Sequence, residues 1–266
     1  MGKSLVIKGA DFSEIAIPKE YTVLDWIASG NGASFFNTGF KPTTASNRFE
    51  IDFSLSTAFL SAQTGVAAPY VVLFGDGAHG YNTNTGLLIT IRKYPSSEPN
   101  NNTVGFKEGT NYFGSPNNEN TVSAAKITDS EVHTLSISQT NVLLDGVLPF
   151  SSQPSGGTLE TAINNGIAIC GTSGIASGRL VGLESTNIQS YKISNGVRTS
   201  AFRIFANEAD TNPIHNFVPV LRTEDGKPYF YDTVNAVYVP ASNNGAGVIY
   251  ALNGTMYNYD GSEYSE

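Results

Sequence analysis

The segment Phe49-Glu50-Ile51-Asp52-Phe53-Ser54-Leu55 alternates apolar and polar side chains residue by residue, and no window of the chain sustains a helical period. A period of two is the mark of a strand with one face buried. The same alternation returns in His133-Thr134-Leu135-Ser136-Ile137-Ser138. Val71-Val72-Leu73-Phe74-Gly75, Leu87 to Ile91, Asn141 to Val147, Gly166 to Cys170, Ser190 to Ser194 and Ala201 to Phe205 read as further strands. Several end at Asp-Gly pairs, and Arg222 to Asp232 reads as a hairpin turning at Asp225-Gly226, because Asp-Gly suits the backbone of tight hairpin turns. Leu159 to Asn165 has room for one helical turn, and Tyr94 to Asn120 reads as a long polar insertion. Short strands punctuated by Gly, Asn, Asp and Pro predict an all-β chain built as a β-sandwich or jelly roll.

Composition narrows the function classes. Only 14% of the 266 residues are charged, and 15 Lys+Arg against 23 Asp+Glu leave a net charge of −8. A helical bundle needs more Glu, Lys, Leu and Ala than this. An acidic chain lacks the basic face of a nucleic-acid binder, so no nucleic-acid partner is expected. Hydrophobic residues make up 40% of the chain, enough to support a core. One cysteine, Cys170, cannot build a disulfide framework. Its place in Gly166-Ile167-Ala168-Ile169-Cys170-Gly171 predicts a small buried hydrophobe on a strand. The N-terminal apolar run Leu5-Val6-Ile7 is broken by Lys8 and Gly9, too short for a signal-peptide core. No run of residues has the length of an apolar membrane span, so no membrane partner is expected.

The division expected is an arm at residues 1–20 closed by Pro18, a sandwich over 21–250, and a polar, Tyr-rich tail over 251–266. Ends of this composition normally fray unless the sandwich or a neighbouring chain holds them.

Three stretches near the start carry a family resemblance: Tyr21 to Gly30, Phe35-Phe36-Asn37-Thr38-Gly39-Phe40-Lys41-Pro42, and Phe49 to Phe53. Together they resemble the opening of concanavalin A-like, laminin-G-like domains of Bacteroides-type gut bacteria and their phages. There, an aromatic-rich strand leads to an Asp/Asn-Thr-Gly-aromatic turn and then to a core strand. Glu131 to Ile137 with Leu144-Asp145-Gly146 resembles the family's central hairpin, with Val132 where the family has Trp. Ala201 to Phe205, Phe217 to Arg222, Asp225-Gly226, Tyr231 to Tyr238 and the Gly-rich Asn243 to Gly247 resemble its closing segment. The resemblance implies a concanavalin A-like jelly-roll sandwich of two antiparallel sheets. This superfold hosts lectins, glycosidases, lyases and structural modules alike.

The leader Lys3 to Ser13 resembles the start of virion proteins of phages of such hosts. The expectation that follows is a non-enzymatic virion structural protein, a capsid decoration or a head or tail fibre component. It would be made in the host cytoplasm, be anchored to other virion proteins by the arm, and assemble with itself, a fibre normally being a trimer. A surface or secreted carbohydrate-binding module of a gut bacterium is the alternative, and a glycan hydrolase or lyase stands third.

Retaining glycosidases on this fold carry Glu-x-Asp-x-x-Glu on a strand. Glu50-Ile51-Asp52 begins that pattern, but Phe53-Ser54-Leu55-Ser56 follow and the second Glu is missing. The chemistry needs two carboxyls in set positions, so no catalytic residue is assigned. Glu50 and Asp52 read instead as solvent-facing neighbours of inward Phe49, Ile51 and Phe53. His79, His133 and His215 show no metal-ligand spacing, and His133 reads as structural. Asp76 lies in a Gly-rich loop without the alternating acidic ligands calcium asks for, so no metal or cofactor is assigned. Trp26 reads as core. For a glycan, aromatic rings take sugar C–H faces while Asn and Asp take hydroxyls. Tyr81, Asn82 and Asn84 in one loop, and Asn111, Tyr112 and Phe113 in another, have that character. Aromatic residues are equally the currency of subunit interfaces.

Overall fold

The structure is a computed structural model and describes residues 20–29, 34–42, 46–55, 70–75, 88–93, 103–108, 120–123, 131–138, 140–147, 166–171 and 197–265. Every strand pairing in it is antiparallel, and the strands form two sheets. The larger sheet runs β10 (Val142–Leu144), β9 (His133–Ile137), β4 (Arg48–Leu55), β12 (Val197–Phe205), β13 (His215–Arg222), β14 (Pro228–Asp232), β15 (Val237–Pro240). The smaller runs β3 (Phe36–Asn37), β11 (Ala168–Ile169), β5 (Tyr70–Gly75), β6 (Leu88–Lys93), β7 (Thr103–Glu108), β8 (Asn120–Ser123). Among the described residues the helical structure is one 3-10 turn, Asn243–Gly245. The chain is therefore all-β, as the alternation predicts.

The two sheets face one another across a phenylalanine core. Phe49, Ile51 and Phe53 of β4 are fully buried, as are Phe202 of β12, Phe217 of β13 and Phe230 of β14. From the smaller sheet, Phe74 of β5 lies between two of them, its ring centroid 4.9 Å from Phe202 and 5.7 Å from Phe49. Phe36 of β3 meets Phe230 edge to face at 5.0 Å. Each such ring contributes about 2–3 kcal/mol by leaving water. The sandwich is a consequence of where the inward residues of β4, β12 and β5 fall.

Turn chemistry fixes the register. Asp145 and Gly146 both take positive φ, and Leu144 and Val147 exchange N–H···O bonds of 2.9 and 3.0 Å around them. This is the two-residue hairpin for which Asp-Gly is suited. In the Asn37-Thr38-Gly39-Phe40 turn, Asn37 Oδ1 accepts from the Gly39 N–H at 2.9 Å, and Thr38 Oγ1 donates to the Ile167 carbonyl at 2.6 Å. The backbones approach so closely that a Cβ on Gly166 would lie 2.4 Å from Asn37 Oδ1 and 2.7 Å from Gly39 Cα.

The N-terminal strands join two wings of the large sheet. β1 (Tyr21–Val23) pairs with β13. After Leu24 and Asp25 the chain leaves β13, and β2 (Trp26–Ser29) pairs with β12 and β16 (Val248–Leu252). β16 in turn pairs with β17 (Thr255–Asn258).

Three expectations change here. Tyr94 to Asn120 was expected to be an insertion, but it contains β7, which pairs with β6. Thr103-Val104-Gly105-Phe106 carries strand residues whose signal is diluted by the Asn, Gly and Pro around it. The boundary expected after residue 250 falls inside β16, and β17 continues the sheet, so the segment after 250 is bound to the sandwich through Tyr250↔Tyr257 and its neighbours in the ladder. Trp26, expected in the core, is only partly buried, with the Arg198 guanidinium 4.7 Å from its ring centroid. Pro18 and the arm up to residue 19, the strand expected at Ser190 to Ser194 and the turn at Leu159 to Asn165 lie outside the described residues.

Candidate functional site

The outer face of the large sheet, opposite to the phenylalanine core, divides into a charged half and an aromatic half. Alternation along β4 sends Glu50 and Asp52 outward as Phe49, Ile51 and Phe53 go in. The register sets Arg203 of β12 opposite Glu50 and Ala201 opposite Asp52. Arg203 then reaches across both carboxylates. Its Nε donates to Glu50 Oε2 at 3.1 Å, and its two Nη atoms donate to Asp52 at 2.9 and 2.6 Å. Thr134 of β9 adds a 2.8 Å hydrogen bond to Asp52 Oδ1. Burial pushes the Arg203 guanidinium down, but the bonds and charge of Asp52 and Glu50 outweigh it and raise its pKa above the usual range.

This corrects the reading of the two carboxylates as solvent-facing. Asp52 is only 8% exposed, and both accept hydrogen bonds from Arg203. Sequence spacing could not show an arginine 151 positions away that the ladder places between them.

The aromatic half lies on β1 and β13 to β15. Val218 and Val220 of β13 are buried on the outer face with Tyr231 of β14, and Tyr21, Tyr229 and Tyr238 pack over them half-buried. The ring centroids of Tyr21 and Tyr238 are 4.2 Å apart, those of Tyr231 and Tyr238 4.5 Å, and those of Tyr21 and Tyr231 6.0 Å. The three ring planes lie within 28° of one another. Tyr229 meets Tyr238 edge-on at 6.4 Å. Burial pushes the Tyr238 hydroxyl well above its ordinary pKa, and its hydrogen bond with Tyr21 and the negative charge of Glu20 act in the same direction.

The β13–β14 turn forms a polar rim to this face. Tyr229 Oη donates to Asp225 Oδ2 at 2.7 Å, Arg222 pairs with Glu224, and Arg222 Nη1 is 3.8 Å from Asp225 Oδ2. Lys227 stands over the Tyr259 ring at 5.0 Å, with Nζ 3.4 Å from the Tyr259 carbonyl oxygen. The C-terminal segment thereby braces the rim.

The histidines separate into distinct roles. His215 Nδ1 lies 2.7 Å from Asp232 Oδ2, and His133 Nδ1 lies 2.8 Å from Asp145 Oδ2. The first pair ties β13 to the end of β14, and the second ties β9 to the Asp145-Gly146 turn. Cys170 is buried against Thr199 and the Ile27 carbonyl, as the sequence suggests, although its positive φ puts it just past the end of β11. Among the described residues no three His, Cys, Asp or Glu side chains cluster as a metal site requires.

The glycan candidates read from the sequence, Tyr81, Asn82, Asn84, Asn111, Tyr112 and Phe113, lie outside the described residues, as do His79 and Asp76. The tyrosine face was not among them. Its signal is the alternation Tyr229-Phe230-Tyr231, in which inward and outward positions are both aromatic.

No family model matches the chain, and no curated protein does. Among solved structures, domains LG4-5 of the mouse laminin α1 chain align with a TM-score of 0.36 and 10% identity, covering 94% of this chain and 72% of theirs.

Proposed function

We propose that this chain is a non-catalytic, lectin-like adhesion module that holds glycans on the outer tyrosine face of its large sheet. One observation carries the reading: half-buried Tyr21, Tyr229 and Tyr238 gather with Tyr231 on a single face, directly beside the carboxylates and guanidinium of Asp225, Glu224 and Arg222. Rings offer apolar area to sugar C–H groups at small entropic cost, and the neighbouring polar groups fix hydroxyls. The non-catalytic part rests on Arg203. The carboxylates that begin a glycosidase-like pattern are engaged with it, whereas hydrolysis asks one of its two carboxyls to give up a proton. The setting we propose is a phage virion, with residues 1–20 toward other virion proteins and copies of the chain assembled as a trimer, on the resemblance of the leader.

A glycan array probed with the whole chain tests the core of this. Binding to at least one glycan should occur, should weaken at least tenfold in Tyr238→Ala, and should release no reducing sugar. An array without a single bound glycan, or sugar release that survives purification, overturns it.

A further inference from the structure

Resting on that reading, we propose that the glycan taken by the tyrosine face is neutral, carrying no sulfate, phosphate or carboxylate. Recognition of an anionic sugar needs cationic groups free to make charge-assisted bonds, ideally with the bidentate geometry of arginine. Among the described residues, the cationic groups at this face are already engaged. Arg222 is paired with Glu224 and lies 3.8 Å from Asp225. Lys227 is turned to the Tyr259 carbonyl and ring. On the charged half of the same sheet face, Arg203 is committed to Glu50 and Asp52.

The charge balance points the same way. Among the described residues, Glu20, Glu224 and Asp225 outnumber Arg222 and Lys227 around the rings, and the whole chain carries −8. An anion approaching the rings would meet net negative charge, and at low salt that repulsion extends over roughly 10 Å or more. A neutral saccharide meets no such penalty. Its hydroxyls find acceptors in Asp225 and Glu224, while its ring faces rest on tyrosine. Stacking of this kind depends little on ionic strength, which separates it from an electrostatic contact.

Affinity electrophoresis and calorimetry with the intact chain test the proposal. Two neutral polymers, galactomannan and xyloglucan, are compared with two anionic ones, heparin and polygalacturonate, at low and high sodium chloride. The expected result is binding to a neutral polymer that changes less than twofold with salt. It should fall at least tenfold in Tyr238→Ala and survive in Tyr238→Phe, which keeps the ring and guards against a folding artefact. Binding to an anionic polymer that vanishes at high salt overturns the neutral assignment and leaves the adhesion reading standing. Binding to none of the four, together with an empty glycan array, removes both. Sedimentation as an oligomer that Tyr238→Ala dissociates would assign the face to a second copy of the chain and overturn the inference.

Discussion

Arg203 lies astride Asp52, with Nη1 2.9 Å from Oδ2 and Nη2 2.6 Å from Oδ1, on a sheet face where both side chains are nearly out of reach of water. Removing one member of a buried pair leaves the other charge uncompensated, which costs more than removing both. Arg203→Met should lower the unfolding free energy by about 3 kcal/mol. The combination Arg203→Met with Asp52→Leu and Glu50→Gln should recover most of that loss. Urea denaturation of the two variants beside the parent measures the difference.

Asp232 gives a pH dependence of known sign. Burial pushes its carboxyl up, but hydrogen bonds from His215, the Asn216 N–H, the Asn235 amide and the Val234 N–H prevail and hold it at about 2, against 3.8 ordinarily. A carboxyl depressed in the folded state stabilises the protein above its unfolded pKa, and that contribution disappears as pH falls through the folded value. The loss should therefore fall between about pH 4 and pH 2. It should amount to roughly 2 kcal/mol. Asp232→Asn should be less stable than the parent at pH 7 and should lose less on acidification. Melting curves taken across this range would contradict the assignment if both proteins declined in parallel.

Gly245 and Tyr259 form the third test. Gly245 has φ of +73°, and a Cβ there would lie 2.2 Å from the Tyr259 ring. Gly245→Ala must either displace the ring or strain the turn, at about 1–3 kcal/mol. The segment after β17 should then become more sensitive to limited proteolysis, and near-ultraviolet circular dichroism from tyrosine should weaken. Tyr259→Ala should produce the same proteolytic pattern without straining Gly245.

Cys170 should be inert while the protein is folded. Burial pushes its thiol up to about 12, against a smaller opposing effect of its contact with Thr199. The thiolate is the nucleophile, so Ellman's reagent at pH 8 should label the native chain far more slowly than the urea-unfolded one. Equal rates would mean that the space between β2 and β12 opens readily.

What was legible in the sequence was the part governed by local periodicity. The alternation of Phe49 to Leu55 assigns β4 and the direction of its core residues, and Asp145-Gly146 and Asp225-Gly226 place two turns. Long-range register is not a local property. Glu50 and Asp52 looked solvent-facing until Arg203 was brought beside them by β12, and β7 was hidden by its polar flanks. The tyrosine face escaped for a different reason. Phe230 points inward and Tyr229 and Tyr231 outward, so a scale that counts all three as apolar sees no alternation.

The pairing of Thr22 with Leu221 and of Ile27 with Tyr250 has a kinetic consequence. The first described strands find their neighbours only after some two hundred intervening residues have been synthesised. Contacts so distant along the chain close slowly. A ribosome making this protein would hold Tyr21, Ile27 and their apolar neighbours unmatched until β12, β13 and β16 emerge. The large sheet is thus completed only once β16 has been made, and truncations before Val248 should accumulate as aggregates instead of as smaller folded domains.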